Sequence, residues 1–220
     1  QERSARGVSV ALPSLRVDSF SVKLAEEIQK FKKTGLTFAP EAGTQRLRDV
    51  INKNVQENDL YEAVRGAFSA GWFQIKLYFM IGLPTETEAD LDGIVTLAKN
   101  VLNIGREILP KDGKKPTVTV SVSSFVPKTC TPFQWEAFNR QEVLLEKQAY
   151  LRKHLRYPGL KFQAHDVQTS YLEAVFSRGD RRLGQVLAKA VDLGCQFDGW
   201  TEHFKYDAWM QAFAELGIDS

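Results

Sequence analysis

Gln74-Ile75-Lys76-Leu77-Tyr78-Phe79-Met80-Ile81 runs into Gly82-Leu83-Pro84 and then Thr85-Glu86-Thr87-Glu88. A near-continuous apolar run of strand length, closed by Gly and Pro, predicts a strand buried on both faces. Gly82 and Pro84 force a tight exit from it. Thr85 or Thr87 can cap a new helix, with Glu86, Glu88 and Asp90 at its positive end. Strand, short loop and capped helix make one half of a βαβ crossover. Sites in such units lie at the carboxyl ends of the strands. Chemistry is therefore sought from Tyr78 to Glu86 and at the equivalent points of neighbouring strands.

The same pattern recurs on both sides. Val8 to Leu12 is a short β-branched strand, followed by Pro13-Ser14-Leu15-Arg16-Val17-Asp18. Ser19 or Ser21 can cap the next helix, where Leu24, Ala25, Ile28 and Phe31 repeat at helical spacing until Thr34-Gly35. Leu36 to Ala39 is the second strand and Pro40-Glu41-Ala42-Gly43 its exit. Thr44 caps a short helix with Leu47, Val50 and Ile51, and a further helix runs from about Asn58 to Ala70. The helix after Pro84 spans about Glu88 to Ile104. Thr117 to Ser124 alternates strictly and is a fourth strand. Its long exit carries Pro127, Pro132, Phe133 and Trp135. That loop either plugs one end of a barrel with its aromatics or touches a ligand.

Strands alternating with helices, and no hairpin signal, call for parallel strands with right-handed crossovers. Four such units are too few to close an eight-stranded barrel, which leaves part of a barrel or an open sheet. After Trp135 the texture changes. Arg140 to Leu155 reads as a helix and Leu160-Lys161-Phe162 as a candidate short strand. Helices start at Asp166 or Thr169 and at Asp180, and Trp200 to Leu216 reads as aromatic and helical. Two parts are expected: 1–135, built on the sheet, and 136–220, a mostly helical extension.

Composition narrows the function classes. The 220 residues are 43% hydrophobic and 25% charged, ordinary globular material. A net charge of +2 makes no electrostatic case for nucleic acid or a membrane surface. No apolar run approaches the roughly 20 residues of a membrane-spanning helix, and Val8 to Leu12 is too short for a signal-peptide core. The two cysteines, Cys130 and Cys195, form neither a disulfide framework nor a zinc site. They fit a reducing cytosol, so a cytoplasmic location is expected. The chain opens without Met and ends without a change of composition, which suggests a piece of a longer protein.

Laid side by side, the strand exits offer Ser14, Arg16 and Asp18; Glu41 with the Gly43-Thr44 helix start; Tyr78; and Val126 with Lys128. Parallel strands bring these to one mouth. A carboxylate, a guanidinium, Lys53 and helix N-termini suit a zwitterionic or anionic ligand. Each has an ordinary reading as well. Arg16 and Lys53 can be surface cations, and Glu41 can simply favour its own helix N-terminus, by about 0.3–1 kcal/mol. His154, His165 and His203 make no pair at metal-ligand spacing. His165-Asp166, with Arg178, Asp180, Arg181 and Arg182, is either a functional polar group or a set of caps and surface ion pairs. Cys130 is a small loop residue or a thiol that nothing nearby in sequence would activate.

At these residues the chain resembles the radical S-adenosylmethionine (radical SAM) superfamily, in the uncharacterised branch with an N-terminal cobalamin-binding-like domain. Pro13 to Asp18 resembles the third-strand exit. Ala39-Pro40-Glu41-Ala42-Gly43-Thr44-Gln45-Arg46-Leu47-Arg48, closing at Ile51-Asn52-Lys53, resembles the fourth-strand segment. Lys76 to Glu86 resembles the fifth, and Val120 to Trp135 the sixth strand and its exit. The match extends through Phe176 to Gly184 and Phe197-Asp198-Gly199-Trp200. The resemblance implies a partial (β/α)6, TIM-like barrel with parallel strands, of which this chain holds the last four units.

It also implies that Arg16, Glu41, Lys53, Tyr78 and Val126 sit where relatives line the SAM pocket. Lys53 matches a position that meets the SAM carboxylate, Glu41 one near the ribose, and Val126 the exit that meets adenine. The implied whole protein cleaves SAM reductively at a [4Fe–4S] cluster to a 5′-deoxyadenosyl radical and needs an electron donor and a substrate not identified. The family's C-x-x-x-C-x-x-C loop is absent here, as are the first two strands, so the cluster would be held by residues outside this chain, in the N-terminal remainder of the polypeptide. The fragment alone is expected to be inactive, with an exposed, aggregation-prone edge strand. Thr129-Cys130 stands where the branch has Pro-His. Cobalamin is left open as a cofactor of the whole protein. A non-catalytic α/β module binding a nucleotide or a partner is the alternative. An ordinary barrel aldolase or isomerase is a third reading, for which Lys76, at a strand start, is badly placed.

Overall fold

The computed structural model describes residues 35–219. The expected strand at 8–12, the helix after it, and Ser14, Arg16 and Asp18 lie outside the described residues. In chain order the elements are β1 (Leu36–Glu41), α1 (Gln45–Val50), α2 (Glu57–Ser69), β2 (Gln74–Ile81), α3 (Glu88–Ile108) and β3 (Thr117–Ser124). Then come α4 (Gln141–His154), β4 (Leu160–Ala164), α5 (Val167–Arg178), α6 (Leu183–Asp192) and α7 (Tyr206–Glu215). Among the described residues no helix is long and apolar enough to cross a membrane.

The protein is α/β, and its four described strands form one all-parallel sheet of order β1-β2-β3-β4. Each strand therefore pairs with the next in sequence and the order never reverses. Right-handed crossovers in such a sheet put successive helices on one face. That face is the core: Leu36 and Phe38, Ile75, Leu77, Phe79 and Ile81, and Val118, Val120 and Val122 are all buried. Leu60, Val64, Ala67 and Phe68 of α2 and Ile94, Ala98, Val101 and Leu102 of α3 are buried as well, and both helices contact the sheet. Burying one such aliphatic or aromatic side chain stabilises by about 1.5–3 kcal/mol.

The 74–81 strand has the expected bounds, but it is not buried on both faces. Gln74, Lys76, Tyr78 and Met80 are exposed or half-buried, alternating with four buried neighbours. The expectation rested on a continuous apolar run. Tyr78 and Met80 extend that run, yet their side chains are exposed or half-buried. β1 also runs two residues past the expected end, through Pro40 and Glu41. Pro40 lacks a backbone N–H, and the register with β2 slips between Phe38 and Glu41. α3 continues to Ile108, four residues beyond the expected Ile104.

The chain folds as two compact units. One comprises the residues up to Ser124 with Glu142–His165, the other Phe125–Gln141 with the residues from Asp166 onward. The first thus takes in α4 and β4 from the segment expected to be a helical extension, because the Leu160 strand pairs with β3 from Val118↔Leu160 to Val122↔Ala164. The second unit packs α5, α6 and α7 around Leu172, Val186, Ala190, Cys195, Trp209 and Phe213. The Phe176 ring meets Trp209 edge-on at 5.5 Å. α7 starts only at Tyr206, not at Trp200, because tight turns hold the intervening chain: the N–H of Trp200 donates to Phe197 and that of His203 to Trp200. α6 begins at Leu183 with no side-chain cap from Asp180, whose carboxylate instead accepts the N–H and guanidinium of Arg182.

Candidate functional site

The exit of β1 is built from beneath by a buried arginine. Arg48, 1% exposed, donates from Nη1 to the Ala42 carbonyl at 2.9 Å and from Nη2 to Gln45 Oε1 at 3.1 Å. Burial pushes its guanidinium below the ordinary value, against the opposite pull of Glu57 and Asp49. Thr44 caps α1, its hydroxyl accepting the Leu47 N–H at 3.2 Å. The Lys53 N–H donates to the Arg48 carbonyl at 2.8 Å. These bonds return the chain from Glu41 to Lys53, so Lys53 Nζ reaches Glu41 Oε1 at 3.2 Å. Glu41 itself has φ 69°, a left-handed conformation that costs an L-residue on the order of 1 kcal/mol or more. Two of the residues singled out in the sequence are thus a half-buried ion pair at a strained strand exit.

The exit of β2 is folded on an acid. Both oxygens of Glu86 accept the Gly82 N–H at 3.0 Å. Lys147 of α4 pairs with the same carboxylate at 2.6 Å, and Glu86 is only 2% exposed. One turn later Asp90 and Thr87 form a capping box, the Thr87 N–H donating to Asp90 Oδ2 at 2.8 Å. Asp90 also accepts the Thr44 hydroxyl and the Arg46 guanidinium. Burial pushes its carboxyl up, but the bonds from Thr44, Thr87 and Arg46 outweigh it and hold the group below its ordinary value. Arg46 donates as well to the Thr85 carbonyl at 3.0 Å. The two exit loops are in this way laced into one rim. Gly43 makes the closeness possible: a Cβ there would overlap the α3 backbone at Asp90 and Ile94.

The remaining expected site residues fall in different places. Tyr78 stands on the uncovered face of β2, 39% exposed, with the Lys76 amine 4.8 Å from its ring centroid. Arg16 lies outside the described residues. Val126 is half-buried in the second unit, on the segment that follows β3. Lys128 is engaged with Glu173 at 2.5 Å and with the Ser177 hydroxyl at 3.0 Å. Trp135 is 86% exposed and plugs nothing among the described residues, while Phe133 packs edge-on against Phe125 at 5.8 Å.

The polar group near His165 resolves into caps and pairs. Asp166 caps α5 through the Thr169 N–H at 2.7 Å, Asp180 pairs with Arg182 at 2.9 Å, and Arg178 donates to the Glu136 carbonyl at 2.8 Å. In the second unit a cavity of about 310 Å3 lies against Phe138, Tyr171, Arg178, Asp180, Arg182 and Leu183. Cys130 is exposed at φ 60°, and Cys195 is buried, its thiol pushed up by burial. Among the described residues no group of three or more His, Cys, Asp or Glu could hold a metal ion.

Sequence reasoning missed Lys147 and Arg46 as rim residues and gave Glu86 and Asp90 only a helix-dipole role. The spacing Gly82 to Glu86 was the available signal for a carboxylate folding back on its own loop. Nothing local could place Lys147, 61 residues further on.

Fold and site together define an α/β protein with a parallel sheet, helices on its apolar face, and a charged rim at the carboxyl ends of its first two described strands. No family model matches the chain. It is 33% identical over 212 residues to an uncharacterized protein of Methanocaldococcus jannaschii, a match that covers 96% of this chain and 44% of that protein. The chain therefore spans less than half the length of this relative.

Proposed function

We propose that this chain is the C-terminal part of a radical SAM barrel and supplies part of the cofactor pocket and the substrate face. The observation that carries the reading is the uncovered side of the sheet. All-parallel sheets otherwise have both faces buried, yet Lys76, Tyr78, Thr119, Ser121, Ser123 and Gln163, on the face opposite the buried core, are exposed or half-buried. A singly wound parallel sheet with a polar second face suits the wall of a barrel that holds a ligand. On this reading SAM would meet Lys53 with its carboxylate and Glu41 near its ribose; Arg16, Tyr78 and Val126 belong to the set only by the resemblance. The Glu41–Lys53 pair suits that task, since each charge can exchange its present partner for one end of a zwitterion. Bound SAM supplies a cleavable sulfonium bond; this chain's residues bind and orient it and limit the access of water.

The cysteines do not fit a cluster: Cys130 is exposed, and Cys195 is buried beside Trp209 and Phe213. The cluster ligands belong outside this chain. Anaerobic expression with the upstream coding region tests the reading. We expect bound iron, visible absorbance that changes with SAM and dithionite, and 5′-deoxyadenosine. Iron-free, colourless protein without SAM turnover overturns it. The want of cluster ligands favours a second reading, a nucleotide-binding module without catalysis, in which SAM or a nucleotide binds and is not cleaved.

A further inference from the structure

Across the uncovered face the parallel register lines up one row of four side chains. Thr37 of β1 pairs with Lys76 of β2, Lys76 with Thr119 of β3, and Thr119 with Lys161 of β4. The next row toward the strand ends is Tyr78, Ser121 and Gln163. Every one of these side chains can donate a hydrogen bond. The one carboxylate in the four strands is Glu41, which ends β1 and is already bound to Lys53. Neither Lys76 nor Lys161 forms an ion pair with a described residue. Two ammonium groups thus share a donor-rich face on which, among the described residues, no carboxylate pairs with them.

We propose that this face binds the anionic end of the substrate, a phosphate or a carboxylate, between Lys76 and Lys161 and over Thr119. Strands lie about 4.8 Å apart, so the two lysine Cα atoms, two strands apart, are separated by about 10 Å. Two flexible four-carbon stems and one anionic group between them span that gap. The Tyr78 ring holds the Lys76 amine from the side of the strand ends. A substrate anchored here runs past Tyr78, Ser121 and Ser123 toward the rim at Glu41, which puts its other end at the mouth. The proposal rests on the reading of that mouth as the reaction site, but the anion site is testable without turnover.

The experiment is calorimetric titration of the longest natural polypeptide containing this chain with phenyl phosphate and with benzoate, two anions on one ring. We expect one of them to bind, and its identity gives the head group. K76Q/K161Q should weaken it at least about tenfold, and K161Q alone, at an exposed position, should weaken it too. K161Q decides the matter if the half-buried Lys76 proves necessary for folding. K111Q/K115Q, which removes two cations from the loop before β3, should bind as the wild type does. Binding of neither anion overturns the proposal. So does undiminished binding by the folded K161Q and K76Q/K161Q proteins, or an equal loss in K111Q/K115Q. Iron-free protein that still binds through Lys76 and Lys161 would remove the radical reading and leave this site standing.

Discussion

Lys53 Nζ stands 3.2 Å from Oε1 of Glu41, a residue whose backbone is left-handed at φ 69°. A half-exposed ion pair contributes about 0–1 kcal/mol, no more than the backbone strain removes. Stability therefore does not account for a glutamate at this turn. Glu41→Gly relieves the strain and adds about 0.5–1 kcal/mol of chain entropy cost. We expect it to lie within about 1 kcal/mol of the wild type in denaturant melts. On the proposed reading, the whole protein's SAM affinity, by equilibrium dialysis, should fall about tenfold, equivalent to about 1.4 kcal/mol. Unchanged affinity would remove Glu41 from the pocket.

Gly43 and Gly93 touch where the β1 exit crosses the first two turns of α3. A Cβ on Gly93 would meet the Gly43 carbonyl and the Thr44 methyl, and one on Gly43 would meet α3 backbone. Backbone cannot yield as a flexible side chain does. Gly43→Ala and Gly93→Ala are each expected to cost about 2–3 kcal/mol, as overpacking does. Thermal melts read this directly, and a wild-type melting temperature in either variant contradicts the closeness of the two loops.

Asp90 makes the rim acid-sensitive. Its folded-state pKa is depressed, through bonds that outweigh the opposing effect of burial. The stability it contributes is therefore complete above the ordinary aspartate value, about 3.9, and is lost as pH falls through the lower folded value. Asp90→Asn should cost about 1–2 kcal/mol at pH 7. The gap to the wild type should close progressively below about pH 4. Urea melts from pH 7 to pH 3 check it, and a gap that stays constant across the range counts against the assignment.

The Glu86 side chain is buried, with Lys147 as its partner and the Gly82 N–H as its donor. Breaking a buried pair from one side costs about 3–5 kcal/mol. We expect Glu86→Ala near the lower end of that range, because Lys147 keeps some access to water. Glu86→Gln retains an acceptor for Gly82 and should cost less, about 1–2 kcal/mol. Equal losses in the two variants would mean that charge is irrelevant here and that only the loop bond matters.

Much of the sheet was legible. Gln74–Ile81 and Thr117–Ser124 have the bounds that their apolar patterns gave. The caps at Thr44, Thr87 and Asp166 are where short polar residues precede apolar helical spacing. β4 was harder, because its alternation spans only five residues, none of them fully buried, and only Leu160-Lys161-Phe162 stood out as a candidate strand. What makes Leu160–Ala164 a strand is the ladder that β3 offers it. Asp180 reads as a cap by type, but its carboxylate is taken by Arg182, two residues on.

The rim divides in the same way. That Glu41 stands at a strand exit follows from the short apolar run and the Pro and Gly that end it, which are local properties; Tyr78, expected near the β2 exit, lies mid-strand, three residues before its end. That Lys53 comes back to Glu41 across 12 residues depends on Arg48 being buried beneath the loop, which no window of sequence displays. The uncovered face shows the limit most clearly. Alternation tells which side chains of a strand share a side; it does not tell what lies against that side. Local pattern was enough for the parallel α/β grammar and for the positions of the exits. That Lys76 and Lys161 share one row emerges only in the assembled sheet, because register is a relation between strands, set by hydrogen bonds between segments far apart in the chain.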